Sequence, residues 1–179
     1  MQVFEFSLIL QGLDPMDEDI EDRLHEAGCD DAILIVQRGA VILTFAREGQ
    51  AFSDAMVSAC RDAVGAGATV ARIEPDHLVN QIEIAARAGL TRAAVSNYVA
   101  GSRGDAFPPP CARATTKTPL WDWAEVAAWF CRNGIVGDTA VRRAQIVRRL
   151  NIALQSEPLR DPARLAKLVT PGADGAASA

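Results

Sequence analysis

The amino-acid sequence predicts an α+β protein, and three observations carry that prediction. The first 74 residues alternate apolar strands with amphipathic helices in the order β-α-β-β-α-β. Residues 81–100 then switch to a helical period on both sides of Gly89. Beyond residue 134 one long helical seam leads to an end rich in Gly, Ala and Ser. A chain of 179 residues accommodates one large domain or two small ones. A hydrophobic content of 49% against 23% charged places it among folded chains, not disordered ones.

Residues 3–10 (VFEFSLIL) begin in alternation and become continuously apolar, which suits a central strand, closed by Gly12 and Pro15. Residues 15–27 are expected to be a helix with Asp14 as its N-cap. Asp17, Glu18 and Asp19 would sit in its first turn, where the helix dipole favours negative charge. Met16, Ile20, Leu24 and Ala27 would form its apolar face, and Gly28 would end it. Residues 31–37 and 40–46 read as a hairpin around Arg38 and Gly39. Residues 52–66 read as a helix capped by Ser53, with Ala55, Met56, Ala59, Cys60 and Val64 facing inward. Residues 69–73 form a last strand, and Glu74, Pro75 and Asp76 a linker. This order describes an antiparallel four-stranded sheet with two helices on one face, the ferredoxin-like arrangement, over residues 1–74.

That domain displays no glycine-rich phosphate loop, histidine cluster or Ser/His/Asp set. The acidic group Asp17, Glu18, Asp19, Glu21 and Asp22 reads as a solvated helix face, not a metal site. Asp30 and Asp31 fit a binding loop or an ordinary turn equally well. The cysteines Cys29, Cys60, Cys111 and Cys131 include no CxxC pair, and His25 and His77 complete no zinc spacing. They read as buried or half-buried thiols of a reducing compartment. No apolar run approaches the ~20 residues of a membrane span, and the N-terminus lacks the basic region and cleavage site of a signal peptide. A cytoplasmic location is expected by default. No metal, cofactor or enzymatic activity is expected.

In residues 81–100 (QIEIAARAGLTRAAVSNYVA), Ile84, Ala85 and Ala88 share one helical face. Gly89 stops that helix where a left-handed cap is tolerated. Leu90 is expected as a buried hinge between the two helices, and Thr91 can cap the second. Val95, Tyr98 and Val99 would turn that helix back onto the first, leaving Arg92, Ala93, Ser96 and Asn97 outside. Asp76 is a candidate cap for a helix starting at His77, itself read as a surface or boundary residue. The spacing resembles the DNA-binding helix-turn-helix. Its fifth position is Ala85 and its ninth Gly89, with Ile84, Leu90, Val95 and Tyr98 at the fourth, tenth, fifteenth and eighteenth. An ordinary helical hairpin is the plain alternative.

The following segment sharpens the resemblance. Residues 107–113 and 118–123 read as two short strands around a polar turn, 114–117, followed by a helix with Val126, Trp129 and Phe130 inside. Phe107-Pro108-Pro109-Pro110, Trp121 with Trp123, and Glu125-Val126-Ala127-Ala128-Trp129 resemble the winged helix-turn-helix of the AlpA/excisionase type, related to the MerR DNA-binding domain. The resemblance covers about residues 78–132, and the three tryptophans read as core. It implies a second helix (about 91–100) in the major groove of double-stranded DNA. Arg92 would be the main contact, with Ala93, Ser96 and Asn97 beside it and Gln81 and Thr91 near phosphate. Arg113, Thr115, Thr116 and Lys117 of the wing, and Arg103 between the two, would reach the adjacent backbone or minor groove.

A helix is expected over residues 139–155, capped by Asp138, with Ala140, Ala144, Val147, Leu150 (or Asn151) and Leu154 as an apolar seam. That seam would pack on the wing domain or, as favoured here, on its twin in a homodimer. Arg142, Arg143, Arg148 and Arg149 flank it as solvent-facing or phosphate-contacting residues. A short helix follows Asp161 and Pro162, and residues 170–179 read as a disordered tail. The domains expected are thus 1–74, 75–133, a helical 134–169 and the tail.

The net charge of −5 is unevenly spread. Residues 1–74 hold 14 acidic and 5 basic side chains, residues 75–133 hold 5 and 6, and residues 134–179 hold 4 and 7. A mildly basic motif region permits phosphate contact without demanding it, and a dimer would double the contacts. The expectation is a DNA-binding transcriptional regulator acting as a homodimer. Three alternatives remain open: an antitoxin-like repressor whose acidic N-terminal domain holds a protein partner, an excisionase-like protein that bends DNA, or an N-terminal sensor of a small ligand.

Overall fold

The computed structural model describes residues 1–102 and 106–169. In chain order its elements are β1 (Gln2–Gln11), α1 (Ile20–Glu26), β2 (Ala32–Gln37), β3 (Ala40–Gly49), α2 (Phe52–Gly65) and β4 (Thr69–Glu74). Then follow β5 (Leu78–Val79), α3 (Gln81–Ala88), α4 (Arg92–Val99), β6 (Trp121–Asp122), α5 (Trp123–Arg132), α6 (Asp138–Ser156) and α7 (Pro162–Val169). The chain is therefore mixed α+β, with an antiparallel four-stranded sheet and, among the described residues, seven helices. None of these helices is long and apolar enough to cross a membrane. Two compact units share the chain: Met1–Pro75 together with the described residues from Arg149 onward, and Asp76–Arg148.

The second unit is a small helical body. Its core holds Val79, Ile84, Ala85, Val95, Tyr98, Trp121, Trp123, Val126, Trp129, Phe130 and Ala144, all buried. The three tryptophans are thus core residues, as expected from their size. β5 and β6 pair antiparallel, Val79 opposite Trp121, and close the unit near its N-terminal end.

The first unit is organised by its sheet, in the order β2-β3-β1-β4 with every neighbour antiparallel. The period of two places Phe4, Phe6, Leu8 and Leu10 of β1 beside Val41, Leu43 and Phe45 of β3 on the buried face. Helix α2 presents Ala55, Met56, Ala59, Cys60 and Ala63, all buried. Four of these five are small, which lets the helix approach the strands closely. The β4 edge is occupied. Val70 exchanges backbone hydrogen bonds with Leu159 (3.0 and 2.8 Å), and the buried Asn151 side chain bonds both N–H and C=O of Ile73 at 2.8 Å. One amide side chain here completes a strand's backbone pairing as a further strand would.

Several local expectations change. The helix expected over 15–27 begins only at Ile20, because Asp14 accepts from Met16 N–H (2.9 Å) and Asp17 from Asp19 N–H (3.1 Å). Such side-chain turns compete with helix, so Met16 stands in solvent at 84% exposure instead of lining an apolar face. Ser53 does not cap α2; Ala51 occupies that position, and Ala63, not Val64, is the buried residue of the last turn. Most of the α6 seam is buried within a single chain: Ala140 is half-buried, and Ala144, Val147, Leu150 and Leu154 are all under 8% exposed. It is therefore not available to a twin. Residues 170–179, read as a tail, lie outside the described residues.

One charged side chain ties the first unit together. Arg47 of β3, 7% exposed, donates from Nε (2.8 Å) and Nη2 (2.7 Å) to the two carboxylate oxygens of Asp31. Its Nη2 also reaches Gly28 O (2.6 Å), and Nη1 reaches Ser58 Oγ (3.3 Å) and the Asp62 carboxylate. The loop before β2, strand β3 and helix α2 thus meet on one guanidinium. Burial alone would lower its pKa, but the hydrogen bonds to Asp31 and Asp62 raise it above the ordinary value. Arg47→Met should lower unfolding stability by about 2–4 kcal/mol in urea titrations followed by circular dichroism. The lower end of that range applies because the Asp31 and Asp62 side chains keep 30% and 23% exposure. A loss under about 0.5 kcal/mol, typical of an exposed pair, would refute the knot.

Candidate nucleic-acid interface

The candidate interface is built from α3, the turn at Gly89 and α4. Asn80 begins α3 as a reciprocal capping box: its Oδ1 accepts from Ile82 and Glu83 N–H (2.8 and 3.1 Å), and Glu83 Oε2 accepts from Asn80 N–H (2.7 Å). This replaces the cap expected at Asp76. Residues 78–79 are strand β5 instead of helix, since their backbone pairs with β6. The Asn80…Glu83 spacing is the signal that would have found the true start. Gly89 ends α3 with φ +65°, and Leu90 N–H returns to Ala85 O at 2.9 Å. Thr91 then caps α4, its Oγ1 accepting from Ala94 N–H at 3.2 Å.

An eight-residue helix is marginal by itself, so α4 depends on what it packs against. Val95 is fully buried, and Tyr98 is enclosed by aromatic rings: Trp129 at 5.2 Å, Phe130 at 5.9 Å and Phe107 at 6.3 Å. Trp121 Nε1 donates to Pro108 O (3.0 Å), which holds the Phe107 segment over this cluster. With that side locked, Arg92, Ala93, Ser96 and Asn97 all lie on the exposed side of α4. Val99, expected to face α3, is 36% exposed. The positions 92, 93, 96 and 97 form one stripe along the helix.

The other expected contacts are more dispersed. Gln81 is the first residue of α3 and is half-buried, and the Thr91 oxygen is engaged in its cap. Arg113, Thr115, Thr116 and Lys117 are all exposed and belong to one turn. In that turn Arg113 has φ +50°, Thr116 Oγ1 donates to Arg113 O (2.9 Å), and Thr118 N–H reaches Thr116 Oγ1 (3.3 Å). The two strands expected around it reduce to a single bridge, Ala112 with Leu120, while Trp121 and Asp122 pair with β5. Pro108, Pro109, Pro110 and Pro119 explain this, because each lacks the N–H a ladder needs. Arg103 lies outside the described residues.

Several residues given other roles act as supports. Arg148 pairs with Asp122 (2.7 Å) and Glu125 (3.6 Å), so this arginine holds the N-terminus of α5 instead of facing solvent alone. Asp122 also caps α5 through Ala124 N–H at 2.8 Å. Arg87 donates to Asp76 O (2.7 Å) and lies over the Trp123 ring at 5.6 Å; burial lowers its pKa. His77, read as a surface or boundary residue, is buried, with Nδ1 at 2.9 Å from Asp76.

Burial pushes the Cys29 thiol up to about 11, helped by Asp62, and pushes Cys60 up to about 12. Both are therefore held as unreactive thiols at neutral pH. Cys131, beside Asp138 at 3.2 Å, is raised by that hydrogen bond. Cys111 is exposed, contrary to the buried or half-buried reading. Among the described residues no three His, Cys, Asp or Glu side chains gather as a metal site.

No family model, curated protein or solved structure matches this chain.

The turn at Gly89 isolates a backbone effect. A Cβ added there meets nothing within 4 Å, so any cost of Gly89→Ala comes from the left-handed φ alone. Gly89→Ala should destabilise by about 1–2 kcal/mol, and Gly89→Asn by less. Tryptophan fluorescence during urea unfolding measures this directly, because all three tryptophans lie in the second unit. Equal loss for Ala and Asn would show that the turn does not need a left-handed residue.

Proposed function

We propose that this chain is a double-stranded DNA-binding transcriptional regulator, with a winged helix-turn-helix of the AlpA/excisionase type, acting as a homodimer. One observation carries the reading. An eight-residue helix is fixed by Val95 and Tyr98 on one side and exposes Arg92, Ala93, Ser96 and Asn97 on the other. On this reading α4 enters the major groove. Ser96 and Asn97 hydrogen-bond to base edges, Ala93 leaves room for close approach, and Arg92 supplies the bidentate fork that fits guanine. The α4 N-terminus and the Arg113–Lys117 turn would contact phosphate.

Charge supports the choice of unit. Asp76–Arg148 holds nine basic and six acidic side chains, whereas the rest of the chain is acidic. The strand order β2-β3-β1-β4 within a βαββαβ sequence supports the ferredoxin-like reading of the N-terminal part. No catalytic role is proposed for that part.

The test is selection from random duplexes by the purified protein, repeated with Arg92→Ala and with Arg92→Ala/Asn97→Ala. Wild type should enrich an inverted repeat. Arg92→Ala should weaken binding by about 1–3 kcal/mol and relax preference at one position, and the double variant should lose the motif. No enrichment even at low salt, where phosphate contacts are strongest, would overturn the proposal.

A further inference from the structure

The two edges of the four-stranded sheet are treated differently. The β4 edge is filled by Leu159 and the Asn151 side chain, whereas β2 ends the sheet with β3 as its neighbour. An open edge strand is ordinarily guarded by charge, proline or a bulge. β2 reads AILIVQ and has none of these. It instead displays Ile33 at 67%, Ile35 at 41% and Val36 at 51% exposure.

The backbone phase of this edge follows from the hairpin. The two-residue turn has positive φ at Arg38 (52°) and Gly39 (79°), so Gln37 and Ala40 exchange hydrogen bonds across it. By alternation Ile35 and Ile33 also bond towards β3. Leu34 and Val36 therefore direct N–H and C=O outward. Ala32 adds its carbonyl, its N–H being given to Cys29 O at 3.1 Å.

We infer that β2 pairs with β2 of a second copy of this chain, antiparallel about a two-fold axis at Leu34, joining the two sheets into one of eight strands. Three observations select a second copy over an unrelated strand. First, this axis sets the open groups of Leu34 opposite each other, and Val36 N–H opposite the Ala32 carbonyl. Second, it sets Ile33 beside Ile35 of the other copy, twice, which covers the two exposed isoleucines of one face. Third, Asp30 precedes the strand and Arg38 follows it, both exposed, so antiparallel pairing brings opposite charges towards each other at each end of an uncharged strand. The occupied β4 edge then stops growth at two copies, giving a closed isologous pair and not a fibre. This interface supplies the homodimer of the proposed function and rests on that part of it alone, independent of DNA.

Sedimentation velocity of the full chain across micromolar concentrations tests it. Wild type should sediment at twice 19.1 kDa. Ile33→Lys/Ile35→Lys sets lysines opposite lysines and should shift the mass to 19.1 kDa with circular dichroism unchanged, since both side chains lie outside the core. Ile33→Glu/Ile35→Lys sets opposite charges against each other only in this register, and should restore the dimer. A monomeric wild type overturns the inference. So does a dimer indifferent to the double lysine change, which would place the contact elsewhere and leave a homodimeric regulator intact. A dimer that responds as described but enriches no duplex would support this interface while sinking the DNA-binding reading.

Discussion

The orientation of α4 hangs on Tyr98. A helix of eight residues gains too little from its own hydrogen bonds to persist alone. Tyr98 contributes a large ring to a cluster with Phe107, Trp129 and Phe130, whose neighbouring centroids lie 5.2–6.3 Å apart. Most of these pairs are edge-on, the arrangement the ring quadrupoles favour. Because Tyr98 and Val95 are three residues apart, they fix the helix about its own axis as well as in place. The stripe Arg92, Ala93, Ser96 and Asn97 faces outward as a consequence. The rest of the unit serves the same cluster: Trp121 anchors the Phe107 segment, and Asp122 with Arg148 secures the start of the helix that carries Trp129 and Phe130.

The first unit solves a different problem. A four-stranded sheet with an apolar inner face needs its connecting loops held, and here a single guanidinium does so. Arg47 occupies an inward position of β3, in line with Val41, Leu43 and Phe45, where a charge would be costly unless satisfied. Two carboxylates, a hydroxyl and a carbonyl surround it, and the Phe45 ring lies 4.9 Å from its carbon. The arrangement uses Asp31 and Asp62 as structural anions. The acidity of residues 1–74 is therefore partly internal and not wholly a surface available to partners.

Much of this architecture is legible in the sequence, because burial follows period. The strand and helix order of the first 74 residues, the glycine turn at Gly89 and the exposed residues of α4 all come from spacing alone. The failures share a cause: short-range polar chemistry or long-range pairing overrides the pattern. Asp14 and Asp17 form local turns where a helix period continues on paper. Leu78 and Val79 look helical until Trp121 and Asp122, more than forty residues on, supply a strand partner. Spacing offers Asn151 only as an alternative to Leu150 on an apolar seam, yet its amide completes the edge of β4. Arg47 is the same kind of case, since its partners are scattered between residues 28 and 62. No local window contains such contacts.

Charge also limits how one copy would engage DNA. Nine basic against six acidic side chains is a modest surplus for Asp76–Arg148, and Arg148 and Arg87 are held by Asp122, Glu125 and the Asp76 carbonyl. With so small a net surplus, long-range attraction of one copy to DNA would be modest on the proposed reading. Two-fold pairing changes this, because a second half-site engaged by a linked copy is reached at high effective concentration. The strand that would provide the link, β2, is uncharged and presents its hydrogen-bonding groups in a self-complementary order. On the proposed reading, weak charge at α4 and an unguarded edge at β2 would act together, and occupancy of DNA would follow the concentration of the dimer and not the affinity of the monomer.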